Sequence, residues 1–558
     1  MMTHNANEVP LMFQAQISGR GQMQYIDRHQ ENPAYRWVDE WLEGTAQRLP
    51  NLLTKQNTAN FRKKECKITW RFVTNSGSDA DFIRPVIAAN GFPFYPGASM
   101  KGAFLRACTH EQAQRYCGSK NKNGDTEPGI LRFHGGYPRD ATWRNQSLVD
   151  IVHPQQPWQV KNNTKNDGAF ALISLYQPTL VFAISSSNKL DETIWEEIWQ
   201  IWETALERGI GSRTSAGYGQ PVKHSQNKLL KIWLHGQGLA SKLLDGSEEF
   251  RPNMFKAALR GHTLRLFGGV TDAVTAEDLT NELWGGFKRD GAVAGVLGIA
   301  FNSIELELSE YRYRNDNGNW VSMPTYELEE GILTLFSTCN LSENESKRLR
   351  TLAINLIKFT LLLSGFGKSW RRVDHRIFFN DYVRNQVNPM IGCHWEFTEL
   401  SKNLYYPINK LSDITVFLHN LRERNLRDWL QIKQKPLRDT PAPWREAWHP
   451  NNVEVWGRIA RDEDDCLAVR WFHSNYNTNA SIKGSILTGR INQIGRIWHR
   501  MYPRYIKTED GDLQRQGDEF IELLTIFPNR EDERTRGFLE FLAQHRRFTQ
   551  LYPQERRL

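Results

Sequence analysis

The stretch FPFYPGASMKGAFLRA, residues 92–107, decides how this chain is read. Aromatic residues and proline lead into a short gap, then Lys101, small residues, Leu105 and Arg106. A second stretch, EEFRPNMFKAALRGHTLRLFGG at 248–269, repeats that order with Lys256 and Arg260. Two glycine-rich loops follow in the same sense, ERGIGSRTSAGYGQ at 207–220 and LSGFGKSWRRVDH at 363–375. The interval from Lys101 to Lys256 and that from Gly209 to Gly365 differ by one residue. One weak match arises by chance easily. Two features in the same order at one spacing indicate a duplication, which has to be recognised before a fold is assigned.

The flanking sequence agrees. Each lysine segment follows a strand-like apolar run, KITWRFV (67–73) and LLKIWLHG (229–236). Each glycine loop follows a helix. Ile194, Ile198, Ile201 and Ala205 share one helical face. Ser342 with Glu345 three residues later is a capping box opening KRLRTLAINLIKFTLLL, which Gly365 stops. Each copy therefore reads strand, loop, helix, strands, helix, glycine loop, strand. That is the order of a ferredoxin-like α+β unit.

The expected organisation is an N-terminal extension at 1–64, a first module at 65–227, a second at 228–399 and a C-terminal helical and hairpin region at 400–558. The extension carries a helical patch at WVDEWL (37–42). The C-terminal region predicts a helix over 414–430 and a hairpin over 453–473. SIKGSILTGRINQIGRIWHRMY (481–502) again carries a lysine, small residues and an arginine on an expected helix. It is a candidate partial third module, without a glycine loop.

Composition bounds the function. The 558 residues suffice for about three or four domains of ~150 residues. With 39% hydrophobic and 24% charged residues, the chain is ordinary globular protein. No apolar run reaches the ~18 residues of a membrane helix, and MMTHNANEVPLMF lacks the layout of a secretion signal. Six cysteines without a CxxC pair argue against a disulfide framework or zinc ribbon, so a reduced, cytoplasmic protein is expected. The net charge of +8 permits a nucleic-acid partner without requiring one.

Glycines let backbone amides approach phosphate oxygens. Arg213, Thr214 and Ser215 lie between the glycines of the first loop; Lys368, Arg371 and Arg372 lie beside those of the second, with Trp370 placed to stack on a base. Lys101 and Lys256 open helices, where free N–H groups and a cation make an anion site. Carboxylates precede both helices: Asp79 and Asp81 in the first copy, Asp245, Glu248 and Glu249 in the second. Near RNA a carboxylate can hold a divalent metal; the plainer role of such aspartates is turn formation. GFGKS is not a nucleotide-binding P-loop, because Leu362 stands where the motif needs glycine. HEQAQ (110–114) fails the zinc motif at Gln114, no GxSxG is present, and no His/Cys group shows metal spacing.

YPGASMKGAFLRA followed by GIGSRTSAGYG resembles the signature of the RAMP superfamily of CRISPR-associated proteins, and most of all the backbone subunits of type III effector complexes. The likeness lies in the first module, about 65–225. The second departs from it, with RPNMFKAALRG lacking the glycine after proline and with a shortened loop. Together they resemble a fused double backbone subunit of the type III-D kind. The resemblance implies tandem ferredoxin-like (RRM-like) cores that bind guide RNA and hold complementary target RNA beside other effector subunits, with no membrane partner. The RNA-binding residues it implies are Lys101, Arg106, Arg213, Thr214, Ser215, Lys256, Arg260, Lys368, Trp370, Arg371 and Arg372. It implies a hairpin thumb, for which YRYRNDNGNWVSM (311–323) and the stretch 134–168 are the candidates. A target-cleaving aspartate is expected among Asp79, Asp81 and Asp245, with Mg2+ or another divalent metal as cofactor; no metal ligands are assigned. Two alternatives stand: a metal-independent endonuclease of precursor guide RNA, using His235, His262 or His375 as base, and a non-catalytic scaffold.

Overall fold

The computed structural model of the chain describes residues 33–44, 50–79, 82–88, 91–120, 126–152, 155–161, 170–222, 228–243, 245–288, 291–315, 317–367, 371–372, 392–473, 480–488 and 495–553. Helices and several small sheets alternate along them in a mixed α and β architecture.

The first region holds α1 (Pro33–Gly44), β1 (Phe61–Lys67), α2 (Gly97–Ala107), β2 (Leu131–Pro138), α3 (Gln155–Lys161), β3 (Thr179–Ser186) and α4 (Glu192–Leu206). The sheet order is β1-β3-β2, antiparallel throughout. Past β1, Ile68 makes an antiparallel bridge to Pro221. The α2 face Met100, Ala103 and Phe104 meets Ile198 and Trp202 of α4 in one core. Asp191 caps α4 by accepting from the Ile194 amide at 2.9 Å. The helix expected at 37–42 is α1, and it joins this core: Trp37 and Trp41 are buried, and Trp41 stacks on Trp143. Of the strand expected over 67–73, the main strand lies earlier, as β1, and Arg71–Phe72 is a short strand paired antiparallel with Leu175–Tyr176. Within 68–73, Ile68 and Phe72 are buried in the first region's core and Trp70 and Val73 against Ala216 and Tyr218, while Trp70 and Arg71 reach the second region as described below.

The second region holds β4 (Lys228–Leu239), α5 (Asn253–Gly268), α6 (Ala273–Trp284), β5 (Leu297–Arg314), β6 (Trp320–Ser337), α7 (Glu343–Leu363) and β7 (His394–Phe397). Its sheet runs β5-β6-β4-β7, all antiparallel. The Ser342–Glu345 capping box is present, and Gly365 follows the end of α7 with φ of +67°. The inner halves of β5 and β6 are buried in the sheet, whereas Ile304–Glu305 and Glu307–Glu310 of β5 are exposed. The outer half is a projecting hairpin, closed by a turn at 315–319 in which Gly318 has φ of +78°.

Between 412 and 432 a continuous helical run, with a π-helical turn at Leu421–Leu426, covers the helix expected at 414–430. The last region holds β8 (Glu454–Ala460), α8 (Ala468–His473), β9 (Ile497–Lys507), β10 (Leu513–Ile526), α9 (Glu533–Gln544) and β11 (Thr549–Tyr552). Its sheet order is β9-β10-β8-β11, with Arg371–Arg372 added in parallel on the free edge of β9. Two expectations are corrected here. Residues 453–473 form a strand and a helix, and the hairpin is β9–β10. The helix expected over 481–502 gives way to β9 at Ile497. Residues 497–503 are all buried, and a short continuous buried run carries no period that separates strand from helix.

The regions interlock. Leu356, Ile357 and Leu361 of α7 share a core with β4 and β6 and with Trp498, Ile521 and Leu523 of the last sheet. Within 134–168, the other thumb candidate, Val149–Val152 pairs antiparallel with Phe170–Ile173, and α3 docks on the second region. Val160 is buried in that core and Lys161 pairs with Glu277 of α6 at 2.6 Å. Among the described residues, no helix is long and apolar enough to cross a membrane.

Candidate nucleic-acid interface

The two motifs of the first region need their glycines for close packing. A Cβ on Gly97 would lie 2.2 Å from the Phe133 carbonyl oxygen, so the proline-glycine entry seats α2 directly on the β2 backbone. A Cβ on Gly211, whose φ is +82°, would lie 2.2 Å from the Val73 oxygen. The loop amides are largely taken up by the protein: Ser212 N–H donates to Val73 O, Gly219 N–H to Arg71 O, and Ala216 N–H to Arg213 O. This differs from amides free to cradle a phosphate. What the loop presents is side chains.

Those side chains meet the second lysine helix. Lys256 Nζ of α5 donates to Ser215 Oγ at 2.6 Å. Ala216 bridges Ile299 of β5, and the Ile299 amide donates to Ser215 O at 3.2 Å. Arg213 sits in the left-handed region at φ +59°, 5.8 Å from the Tyr218 ring. Arg260, one turn along α5 from Lys256, donates to Asn281 Oδ1 at 2.7 Å. Burial, then Arg213, then Arg260 all disfavour charge on Lys256, and its pKa falls to about 7. Thr214 is half-buried, and its carbonyl accepts from Gln220 Nε2 at 2.7 Å. Four of the expected RNA-binding residues, Arg213, Ser215, Lys256 and Arg260, thus gather at the join between the two regions.

Beneath them lies a buried clamp. Glu249, on the segment entering α5, accepts from Trp70 Nε1 at 2.7 Å and from Arg71 Nε at 2.8 Å. Arg71 also donates to Ser174 Oγ at 2.7 Å. Arg251 pairs with Asp150, which accepts from Tyr218 O–H at 2.6 Å. Arg71 and Asp150 are fully buried. Sequence reasoning missed this clamp, since Arg71 and Glu249 stand 178 residues apart. The one local signal was a charged residue inside an apolar run, Trp70-Arg71-Phe72.

The remaining expected residues lie elsewhere. Lys101 and Arg106 are exposed on α2, and the Arg106 carbonyl accepts from Arg208 Nη1 at 3.0 Å. Arg371 and Arg372 pair with His499 and Arg500 through the backbone. Lys368, Trp370 and His375 lie outside the described residues, as does Asp81. Asp79 is on the short strand Ser78–Asp79. Asp245 is exposed, and its carboxylate accepts from the Ser247 amide at 3.0 Å and the Ser247 hydroxyl at 2.7 Å. That is an Asx turn. Burial acts to raise its pKa, but hydrogen bonds from Ser247 and Ser147 together hold the group below the ordinary carboxylate value. Among the histidines, His262 is buried between Phe359 and Trp498. His235 is partly exposed, 3.9 Å from Glu396, and burial lowers its pKa.

A divalent metal at the expected aspartates was tested on the donor set. Asp245 offers a single carboxylate already holding Ser247. Among the described residues, the one group of three His, Cys, Asp or Glu donors close enough to hold an ion is Cys466, His499 and Glu522, in the last region. The residues at Asp245 therefore do not fit a metal centre supplied by this chain alone.

No family model matches the chain, and no curated protein does. Part of it is similar to a chain of the solved structure "Cryo-EM structure of the Type III-B Cmr-beta bound to cognate target RNA", with 18% identity and a TM-score of 0.22. That match covers 34% of this chain and 65% of the other, so it spans less than two thirds of the neighbour's length. Part of the chain is also similar to a chain of a "Type IV-B CRISPR Complex", with 14% identity, a TM-score of 0.21, and 29% and 88% of the two chains covered. At these TM-scores neither likeness bears on the argument below.

Proposed function

We propose that this chain is an RNA-binding backbone subunit of a type III-like CRISPR ribonucleoprotein, holding guide RNA and the target paired to it beside other effector subunits. The observation that carries the reading is the convergence of Arg213, Lys256 and Arg260. Half-burial, Arg213 and Arg260 all disfavour charge on Lys256, and an RNA phosphate is an anion that would relieve it. The cluster forms where the two RAMP-like motifs meet, the glycine loop of one region and the lysine helix of the next.

The same reading makes each region a ferredoxin-like module. The second follows strand–helix–strand–strand–helix–strand, with sheet order β5-β6-β4-β7. The last region repeats that order as β9-β10-β8-β11. The first has three of the four strands, with the Ile68–Pro221 bridge at the fourth position. The proposal therefore extends from two modules to three, the third spanning about 454–552. The β5–β6 hairpin is the proposed thumb.

Sequencing the RNA that co-purifies with the tagged full chain, expressed with its genomic neighbours, tests the assignment. A discrete population sharing one repeat-derived end is expected. Random cellular RNA, or a stable complex without RNA, overturns it. Target cleavage through Asp79, Asp81 or Asp245 is the second reading; the position of Asp245 before α5 favours it, and its single carboxylate ranks it below the scaffold.

A further inference from the structure

The last region holds a polar cluster that RNA binding does not use. Cys466 precedes α8, His499 lies on β9 and Glu522 on β10. Their donor atoms form a triangle: Sγ to Nε2 at 3.4 Å, Sγ to Glu522 Oε1 at 3.0 Å, and Nε2 to Oε1 at 3.2 Å. His499 and Glu522 are fully buried and Cys466 nearly so. We propose that Cys466, His499 and Glu522 form a zinc-type metal site that pins the 461–467 loop to the last sheet.

Zinc bonds of about 2.3 Å to sulfur and about 2.0–2.2 Å to nitrogen and oxygen place tetrahedral ligand atoms roughly 3.3–3.6 Å apart. Shifts of a few tenths of an ångström reach that geometry. Thiolate, imidazole and carboxylate together select zinc-like ions over Mg2+ or Ca2+. The carboxylate is already oriented. Its Oε1 accepts from the Ala468 amide at 2.8 Å, and its Oε2 accepts from Arg458 Nε at 2.6 Å and the Leu467 amide at 3.1 Å. Such outer contacts fix a ligand and tune it. His499 Nδ1 takes no hydrogen bond among the described residues, and its ring packs on Phe472. Nε2 is the ring nitrogen that faces Sγ and Oε1.

Without metal, the Sγ–H and Nε2–H protons both face the carboxylate. Metal entry displaces them: the thiol loses its proton to solvent, and the imidazole gives up its Nε2 proton while Nδ1 takes one up, so that the neutral ring binds through Nε2 with one proton released in all. Three bonds to the ion replace two hydrogen bonds, and a fourth position is left for water. The cluster escapes sequence motifs because its members are 33 and 23 residues apart.

The test loads the full chain with Zn2+, desalts it and measures bound metal. About one ion per chain is expected, falling to background in Cys466→Ala and unchanged in Cys66→Ala, which removes a thiol elsewhere. Loading wild-type protein with Co2+ keeps the test independent of how a variant folds. Thiolate-to-cobalt absorption with tetrahedral visible bands is expected. Wild type that retains no zinc and shows no such absorption overturns the proposal, as does metal retained equally by Cys466→Ala. Neither readout depends on RNA, so failure here leaves the RNA assignment untouched.

Discussion

Lys101 and Lys256 hold matched positions in a duplicated motif, yet they sit in opposite surroundings. Lys101 is exposed at the start of α2. Lys256 is half-buried, bonded to Ser215 of the preceding glycine loop and pressed by Arg213 and Arg260. The sequence around each lysine is similar; the neighbour is not. α5 has a glycine loop packed on it because another region precedes it, and no comparable loop is seated on Lys101 among the described residues. A repeated motif thus carries its local shape from copy to copy, while its electrostatics come from what docks on it.

The sharpest way to break the comparison is to part the two regions. Glu249→Ala leaves Arg71, which is wholly buried, without its carboxylate partner. Removing one member of a buried pair typically costs about 3–5 kcal/mol. Urea unfolding should show that loss, and RNA affinity should fall with it because Ser215 and Lys256 no longer share a join. A change below about 1 kcal/mol would mean that the clamp does not hold the regions together.

Lys256→Met should separate affinity from stability. RNA affinity should drop about tenfold or more, the size of one charged hydrogen bond of about 1.5 kcal/mol or more. The folded protein should become more stable at neutral pH. The sign follows from linkage. With a folded pKa of about 7 against 10.5 unfolded, the unfolded chain binds the extra proton between those values. Stability from this group therefore rises as pH goes from 7 to 10.5, and its destabilisation is complete below 7. Bound phosphate reverses the preference, so wild-type affinity should fall as pH rises past 7, by up to about tenfold per unit. Titrations across that range should find the variant flat. A wild type equally flat would mean that Lys256 does not face the RNA.

The fold was legible where residues repeat and illegible where only the topology does. Lysine, glycine and capping residues marked α2, α4, α5 and α7, because helix starts and stops demand particular chemistry. The last region shares the strand order of the second, but its α8 lacks the lysine motif and β9 is a buried run without a period. The lysine and arginine of 481–502 suggested a partial third copy on a helix, where the structure has β9 from Ile497. At the interface, sequence identified Arg213, Ser215, Lys256 and Arg260 individually. It did not show that they meet, nor that the loop amides are occupied, since both depend on packing between distant segments.

Lys101→Glu probes the open member of the lysine pair. Losing one phosphate contact should lower the log–log salt slope of single-stranded RNA binding by about 0.7. A slope equal to wild type would remove Lys101 from the RNA path and leave it a solvated lysine.

The smallest effect is expected at Asp245, three residues from Glu248 on the same approach to α5. Its carboxylate is exposed and closes a turn on Ser247, so Asp245→Ala should move stability by no more than about 0.5 kcal/mol. RNA binding should hold, and the products formed from complementary target in Mg2+ should match those of wild type. The contrast with Glu249 is then complete: of two acidic residues on one short segment, the buried one holds the regions together and the exposed one shapes a loop. Loss of a single product with binding intact would reverse the ranking. It would place Asp245 at the scissile phosphate, with the other metal ligands drawn from RNA or a neighbouring subunit.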